Sequence, residues 1–217
     1  MNHMARKLAL SVLSLLAFAC MARAQSASGY LAAGTATDSS TGPLNTLGAG
    51  VTFNTPSMGG LFGTVGGDLI FYRHRLGVGA EYSFRKDRGA YAGLQYRQAF
   101  YDVNAVYYPL TNVGRRFTPE IQGGVGRSEL TFYDTPQFCV IAPQGCRSTN
   151  AQIETQNRLQ LHFSGGVRIS IWKGIFVRPQ VDVRYIHNFT DFGSSFVPEY
   201  TIAVGYTFQT IRLRMKH

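Results

Sequence analysis

From Leu159 to Trp172 hydrophobic and polar residues alternate without a break. Leu159, Leu161, Phe163, Gly165, Val167, Ile169 and Ile171 form one set, and Gln160, His162, Ser164, Gly166, Arg168 and Ser170 the other. A period of two becomes two faces only on a β-strand. The oily face runs for thirteen residues and stops at the single Trp of the chain. In a soluble sandwich or barrel, an inward apolar face ends after about three side chains. A tilted strand crossing hydrocarbon needs roughly nine to eleven residues and ends on an aromatic at the membrane boundary. The stretch is therefore predicted to cross a membrane.

The same alternation, weaker in places, recurs along the chain. Ser28–Thr37 has two small faces. Residues 38–60 are rich in Ser, Thr, Gly, Pro and Asn and read as a long loop with a strand-like piece at 46–53. Leu61–Phe71, the basic turn Tyr72-Arg73-His74-Arg75 and Leu76–Arg85 make a hairpin. Tyr91–Tyr108 carries Leu94 and Tyr96 outward. It then changes parity at 98–100, so that Tyr101, Val103, Ala105 and Tyr107 face outward, which predicts a β-bulge. The next strand begins at Phe117 and is predicted to slip near Gly126, turning Leu130 and Phe132 outward. Residues 133–157 form the longest clear loop. After Trp172, the Lys173-Gly174 turn leads into Ile175–Phe189, and Glu199–Phe208 closes the series. Eight strands result. Connections at 72–75, 109–116 and 172–174 fall on one side and those at 38–60 and 133–157 on the other, with a short link at 86–89 as the exception in length. Short turns inside and long loops outside are the arrangement of an outer-membrane barrel. The predicted fold is all-β, an antiparallel up-and-down eight-stranded transmembrane β-barrel.

Targeting and composition fit this reading. Arg6 and Lys7 precede an apolar run from Leu8 to Ala19, and Ala22 and Ala24 are spaced as a signal-peptidase site. Residues 1–24 are thus expected to be a signal peptide and 25–217 the barrel domain, because about twelve apolar residues are too few for a membrane helix. Phe18 makes Cys20 a poor lipidation site. No later apolar run is long enough for a helical span, so a membrane-entering chain must close into a barrel. Gly 24, Tyr 12 and Phe 15 suit tight strand packing and aromatic girdles. Removing residues 1–24 takes away three basic residues and no acid, so the charge of +9 falls to +6. The remaining cations are scattered over strands and turns, not gathered on one face with stacking aromatics, so nucleic acid is not an expected partner. Cys139 and Cys146 are expected to close a short disulfide loop in an oxidising compartment.

The signal peptide, the strand count and the ending Gly205-Tyr206-Thr207-Phe208 resemble the small eight-stranded outer-membrane barrels of the OmpA/OmpX type over about residues 28–208. The chain departs from that pattern by running on through a basic tail, 209–217. The resemblance implies a bacterial outer membrane. Lipid, lipopolysaccharide and the barrel-assembly machinery are then the partners, with no peptidoglycan-tethering role.

Parity sends Asp68, Glu81, Asp102, Glu120 and Asp182 into the lumen, together with Arg97, Arg168, Arg178 and Arg184. An eight-stranded barrel is only wide enough for its own side chains. These charges are therefore expected to pair and plug the lumen, with a gated narrow pore as the alternative. His162 and Ser164 project from one face, as a base and nucleophile must, and outer-membrane lipid A deacylases use a His-x-Ser pair. Here the pair is predicted to point inward, away from lipid, so catalysis is not expected. No cofactor or metal is expected either: His187 and Asp191 lack ligand spacing. The leading expectation is a structural or surface-adhesive barrel that meets its ligand at loops 38–60 and 133–157. A small-solute pore and a lipid A-modifying enzyme are the alternatives.

Overall fold

A computed structural model describes residues 26–37, 43–44, 53–54, 59–72, 75–91, 94–110, 116–133, 152–187 and 195–209. Cys139, Cys146, the signal peptide, the tail from 210 and most of the loops at 38–58 and 134–151 lie outside them. Eleven strands occur in these residues: β1 (Ser26–Ala36), β2 (Pro43–Leu44), β3 (Phe53–Asn54), β4 (Gly60–Tyr72), β5 (Leu76–Arg85), β6 (Gly89–Tyr91), β7 (Leu94–Tyr107), β8 (Phe117–Tyr133), β9 (Gln152–Trp172), β10 (Ile175–Ile186) and β11 (Phe196–Gln209).

Eight of them form the barrel. The hydrogen-bonded order is β5-β4-β1-β11-β10-β9-β8-β7, and β5 pairs with β7 to close the ring. Every pairing is antiparallel, including first strand to last, where Tyr30 sits opposite Gly205. The short β6 extends the β5–β7 hairpin, and β2–β3 is a separate two-residue ribbon. Closure leaves no barrel edge unpaired, which hydrocarbon demands because it offers backbone groups no hydrogen-bonding solvent. At the tight turn, Lys173 and Gly174 both take positive φ, 32° and 92°, the handedness that matches the twist of the flanking strands.

The two faces of the wall are sharply different. Outward side chains include Leu31, Val103, Val125, Phe163, Ile202 and Val204, each more than half exposed. A water-soluble domain would not present so continuous an apolar belt. Aromatics bound it. Tyr82, Phe84 and Tyr101 cluster at the long-loop end, with ring centroids 5.5 and 4.8 Å from Tyr82. Tyr107, Phe117, Trp172, Tyr206 and Phe208 lie at the short-turn end.

Inside, the lumen is layered. At the loop end Ala36, Phe62, Tyr96, Phe100, Leu130, Phe132, Ile186 and Val197 form an apolar plug. Toward the turn end Ile70 packs with Val106 and Tyr108, and Tyr30 with Phe176 and Ala203. Charged residues fill the space between. Inward glycines make room for large neighbours: a Cβ on Gly66 would run into the Tyr30 ring, and one on Gly126 would run into the Asp102 carboxylate.

Two sequence expectations fail here for one reason. β7 has no parity change at 98–100: Tyr96, Gln98, Phe100, Asp102 and Asn104 all face inward in unbroken register. β8 does not slip at Gly126 either, and Leu130 and Phe132 are buried. Its pairing with β9 shifts register at 132–133 instead. Both bulges rest on the rule that apolar means lipid-facing. Above the membrane the wall meets water, so its polarity inverts, and the apolar side chains of these strands fill the top of the lumen. Strand β9 also begins seven residues before Leu159, shortening the loop expected at 133–157 to residues 134–151.

Candidate functional site

The middle of the lumen is built from alternate residues of all eight barrel strands. On β10 the period-two run Arg178, Gln180, Asp182, Arg184 places four polar side chains on the inner face, all nearly fully buried. Strand β9 contributes Gln160, His162, Ser164 and Arg168, and β7 contributes Gln98, Asp102 and Asn104.

Each arginine bridges acids from other strands and lies over an aromatic ring. Arg168 Nη2 donates to Asp68 Oδ2 at 2.7 Å and to Glu120 Oε2 at 3.2 Å, while its Nη1 reaches Ser28 Oγ at 2.8 Å. Its guanidinium sits 4.1 Å from the Phe176 centroid. Arg178 Nη1 donates to Glu120 Oε1 at 2.5 Å and Nη2 to Glu81 Oε1 at 3.3 Å, over the ring of Tyr30 at 4.0 Å. The Tyr30 hydroxyl donates to the same Glu81 oxygen. Arg184 Nε donates to Asp102 Oδ2 at 3.1 Å and Nη1 to Glu199, over the ring of Phe100 at 4.5 Å. Phe100 and Phe176 belong to the apolar layers, so the guanidinium faces there meet apolar caps as cation–π partners while the edges bond carboxylates.

His162 joins the two halves. Its Nδ1 lies 2.9 Å from Asn104 Oδ1 and its Nε2 lies 2.9 Å from Asp182 Oδ1. The amide orientations are pinned in sequence: Gln122 Nε2 donates to Glu120 at 2.6 Å, and Asn104 Nδ2 donates to Gln122 at 3.1 Å, which leaves Asn104 Oδ1 facing the imidazole. Gln180 Nε2 also donates to Asp182, at 2.5 Å, and Gln160 Nε2 donates to Asp102 at 2.6 Å. A chain of this kind fixes one arrangement of the lumen, because changing any member unsatisfies buried neighbours.

Eight of the nine lumen residues expected from sequence are buried in this network: Asp68, Glu81, Asp102, Glu120, Asp182, Arg168, Arg178 and Arg184. Arg97 is not. It lies on the outer wall, exposed, with Nε donating to the Arg85 carbonyl at 3.1 Å and the guanidinium 5.7 Å from the Phe84 centroid. The continuous alternation of β7 puts it opposite in sense to Tyr96 and Gln98. Sequence reasoning missed Glu199, which is fully buried against Arg184. The parity that turns Thr201 inward would have found it.

Two catalytic or metal arrangements can be weighed on geometry. His162 and Ser164 share the inner face, but both His162 nitrogens are taken by Asn104 and Asp182. The ring thus has no nitrogen left to activate Ser164 as a base would. Ligand atoms of Glu81, His162 and Asp182 lie within 4.8 Å of one another. Glu81, however, is held by Tyr30 and Arg178, and His162 by its two acceptors. These three are members of the hydrogen-bond network.

A closed ring of strands with an apolar outer belt and a packed lumen is a membrane-spanning barrel. The chain belongs to the outer membrane protein beta-barrel domain family, whose model matches residues 9–208, and it resides in the bacterial outer membrane. Solved structures are similar in fold. Neisserial surface protein A is 11% identical, with a TM-score of 0.56, covering 84% of this chain and 96% of that one. A major outer membrane protein from Thermus thermophilus is 12% identical, with a TM-score of 0.53, covering 84% and 99%. The N-terminal β-barrel domain of Pseudomonas aeruginosa OprF is 11% identical, with a TM-score of 0.51, covering 85% and 98%. No curated protein matches the sequence. At such identities the likeness is one of fold.

Proposed function

We propose that this protein is a non-conducting, non-enzymatic barrel that serves as a rigid surface mount, structural or adhesive, acting through the external segments between β1 and β4 and between β8 and β9, residues 37–59 and 134–151. The observation that carries the reading is the packing of the lumen. Side chains of Arg178, Arg184, Asp102, Glu120 and Glu199 are at most 1% exposed, between apolar layers at both ends. An interior of this kind supports shape and favours a lumen that does not conduct. Specificity then rests on segments beyond the wall, as it does wherever loops are carried on a stable scaffold. A disulfide between Cys139 and Cys146 would restrict one of those loops without touching the barrel.

The test is a loop replacement. Residues 136–149 are exchanged for a short Gly-Ser linker, and the variant is expressed in a non-adherent Gram-negative host. Adhesion to epithelial monolayers is then compared with that of wild type. The expected result is adhesion conferred by wild type and lost in the variant, with unchanged heat-modified gel migration and surface labelling. Adhesion equal in both, or absent with wild type, would refute the adhesive role.

A further inference from the structure

The polar outer wall above the aromatic row is one-sided. Among the described residues, the outward cations at the long-loop end stand on neighbouring elements of one sector: Lys86 and Arg88 in the β5–β6 link, Arg97 on β7 and Arg127 on β8. Among the described residues, the outward positions at the same end of β10, β11, β1 and β4 carry no Lys or Arg: Tyr185, His187, Phe196, Pro198, Tyr200, Thr35, Thr37 and Leu61. Among the described residues, the outward acids of the basic sector are Asp87 and Glu129. Glu129 is engaged by Arg127 Nη2 at 3.4 Å, and Arg127 Nε is fixed by Asn157 Oδ1 at 2.6 Å. Glu154 lies on the other face of β9 from Asn157.

Arg97 is the centre of the patch. It is strapped to the wall by its Nε bond to the Arg85 carbonyl and by the Phe84 ring beneath it. Both terminal nitrogens have no hydrogen-bond or ion-pair partner among the described residues. Lys86 follows Arg85 directly. Arg88 Nη1 donates to Gln95 at 3.1 Å, two residues from Arg97 on the same face, with its guanidinium 4.0 Å from the Tyr133 centroid. Height decides what such a patch meets. Lys86, Arg88 and Arg97 stand just beyond Tyr82, Phe84 and Tyr101 along the chain, the row that marks the edge of the hydrocarbon, so they lie at the level of outer-leaflet headgroups, with Arg127 paired across from Tyr101 in the row itself. A planar guanidinium with two unpaired terminal nitrogens fits a phosphate bidentately, and its neighbours supply further charge.

We infer that this sector binds the phosphate groups of an outer-leaflet glycolipid of the lipid A type, with Arg97 as the principal contact and Lys86 and Arg88 beside it. The site is independent of the adhesive reading, since it needs only a barrel seated in an outer membrane. Binding at one sector orients the barrel toward its lipid neighbours without any demand on the lumen.

Full-chain protein in detergent micelles is titrated with bis-phosphorylated lipid A and followed by native mass spectrometry. Dephosphorylated lipid A and a heparin oligosaccharide serve as separate probes. K86Q/R97Q, which removes the principal charge-assisted contact and a charge beside it, is expected to bind the bis-phosphorylated form at least about tenfold more weakly. Dephosphorylated lipid A should bind both proteins equally and weakly. K173Q, at the opposite end of the barrel, should bind as wild type does, and heat-modified migration checks that each variant is folded. Equal binding of bis-phosphorylated lipid A by wild type and K86Q/R97Q would overturn the proposal. So would tight binding of the dephosphorylated form, or heparin binding lost in the variant while lipid A binding persists, which would make the patch a reader of soluble polyanions.

Discussion

Arg184→Ala should destabilise the barrel by about 3–5 kcal/mol, the usual cost of stripping one partner from a buried charge pair. Two features place it among the most damaging substitutions. Arg184 holds Asp102 and Glu199 at once and covers the Phe100 ring, so its loss removes two ion pairs and the contact between the charged layer and the apolar plug. The lumen is also already rich in acid. Among the described residues, six carboxylates, Asp68, Glu81, Asp102, Glu120, Asp182 and Glu199, face three guanidiniums and one imidazole, so removing an arginine enlarges an existing imbalance. Removing Glu120 reduces it and leaves Arg168 on Asp68 and Arg178 on Glu81. Arg184→Ala is therefore expected to cost more than Glu120→Gln. Urea unfolding in detergent, read by heat-modified migration, makes the comparison. Equal and small effects would mean that the charges are solvated.

The second large effect belongs to the outer wall. Ile202 is 62% exposed between Tyr200 and Val204 on the apolar belt of β11. An arginine there should cost about 2–4 kcal/mol in a bilayer, the range for a cation near the midplane of a lipid-facing wall. Thr37→Arg, exposed at the loop end of β1 beyond the apolar belt, should be nearly neutral. Reversible unfolding in lipid vesicles separates the two. If both positions tolerated arginine equally, the boundary drawn at the aromatic row would be misplaced.

How much of this was legible in the sequence depended on where each residue stands relative to the membrane. Within the hydrocarbon the rule is simple: the lipid side must be apolar, so Val181 and Val183 go out and Asp182 and Arg184 go in. Alternation therefore located most of the charged lumen. Above the boundary the rule reverses, and a local pattern carries no mark of where that happens. Tyr96, Leu130 and Phe132 look like lipid-facing residues and fill the lumen, whereas Arg97 and Arg127 look like lumen residues and face outward. Who pairs with whom was beyond reach for a different reason. Arg168 meets Asp68 across 100 residues of chain, and such partners are set by strand stagger around the ring, which no single strand encodes. The role of His162 as the joint between Asn104 and Asp182 is likewise a product of three strands meeting.

Single-channel recording in planar bilayers reads whether the lumen is closed. Full-chain protein refolded into detergent and added to a bilayer should give no steady conductance above the bare membrane in concentrated KCl. Arg184→Ala, by loosening the network beneath the plug, should give brief irregular openings. Stable, uniform openings from the wild-type barrel would mean an open lumen, because they would require a continuous water path past Phe100, Arg184 and His162, and the charged layer would then line a pore.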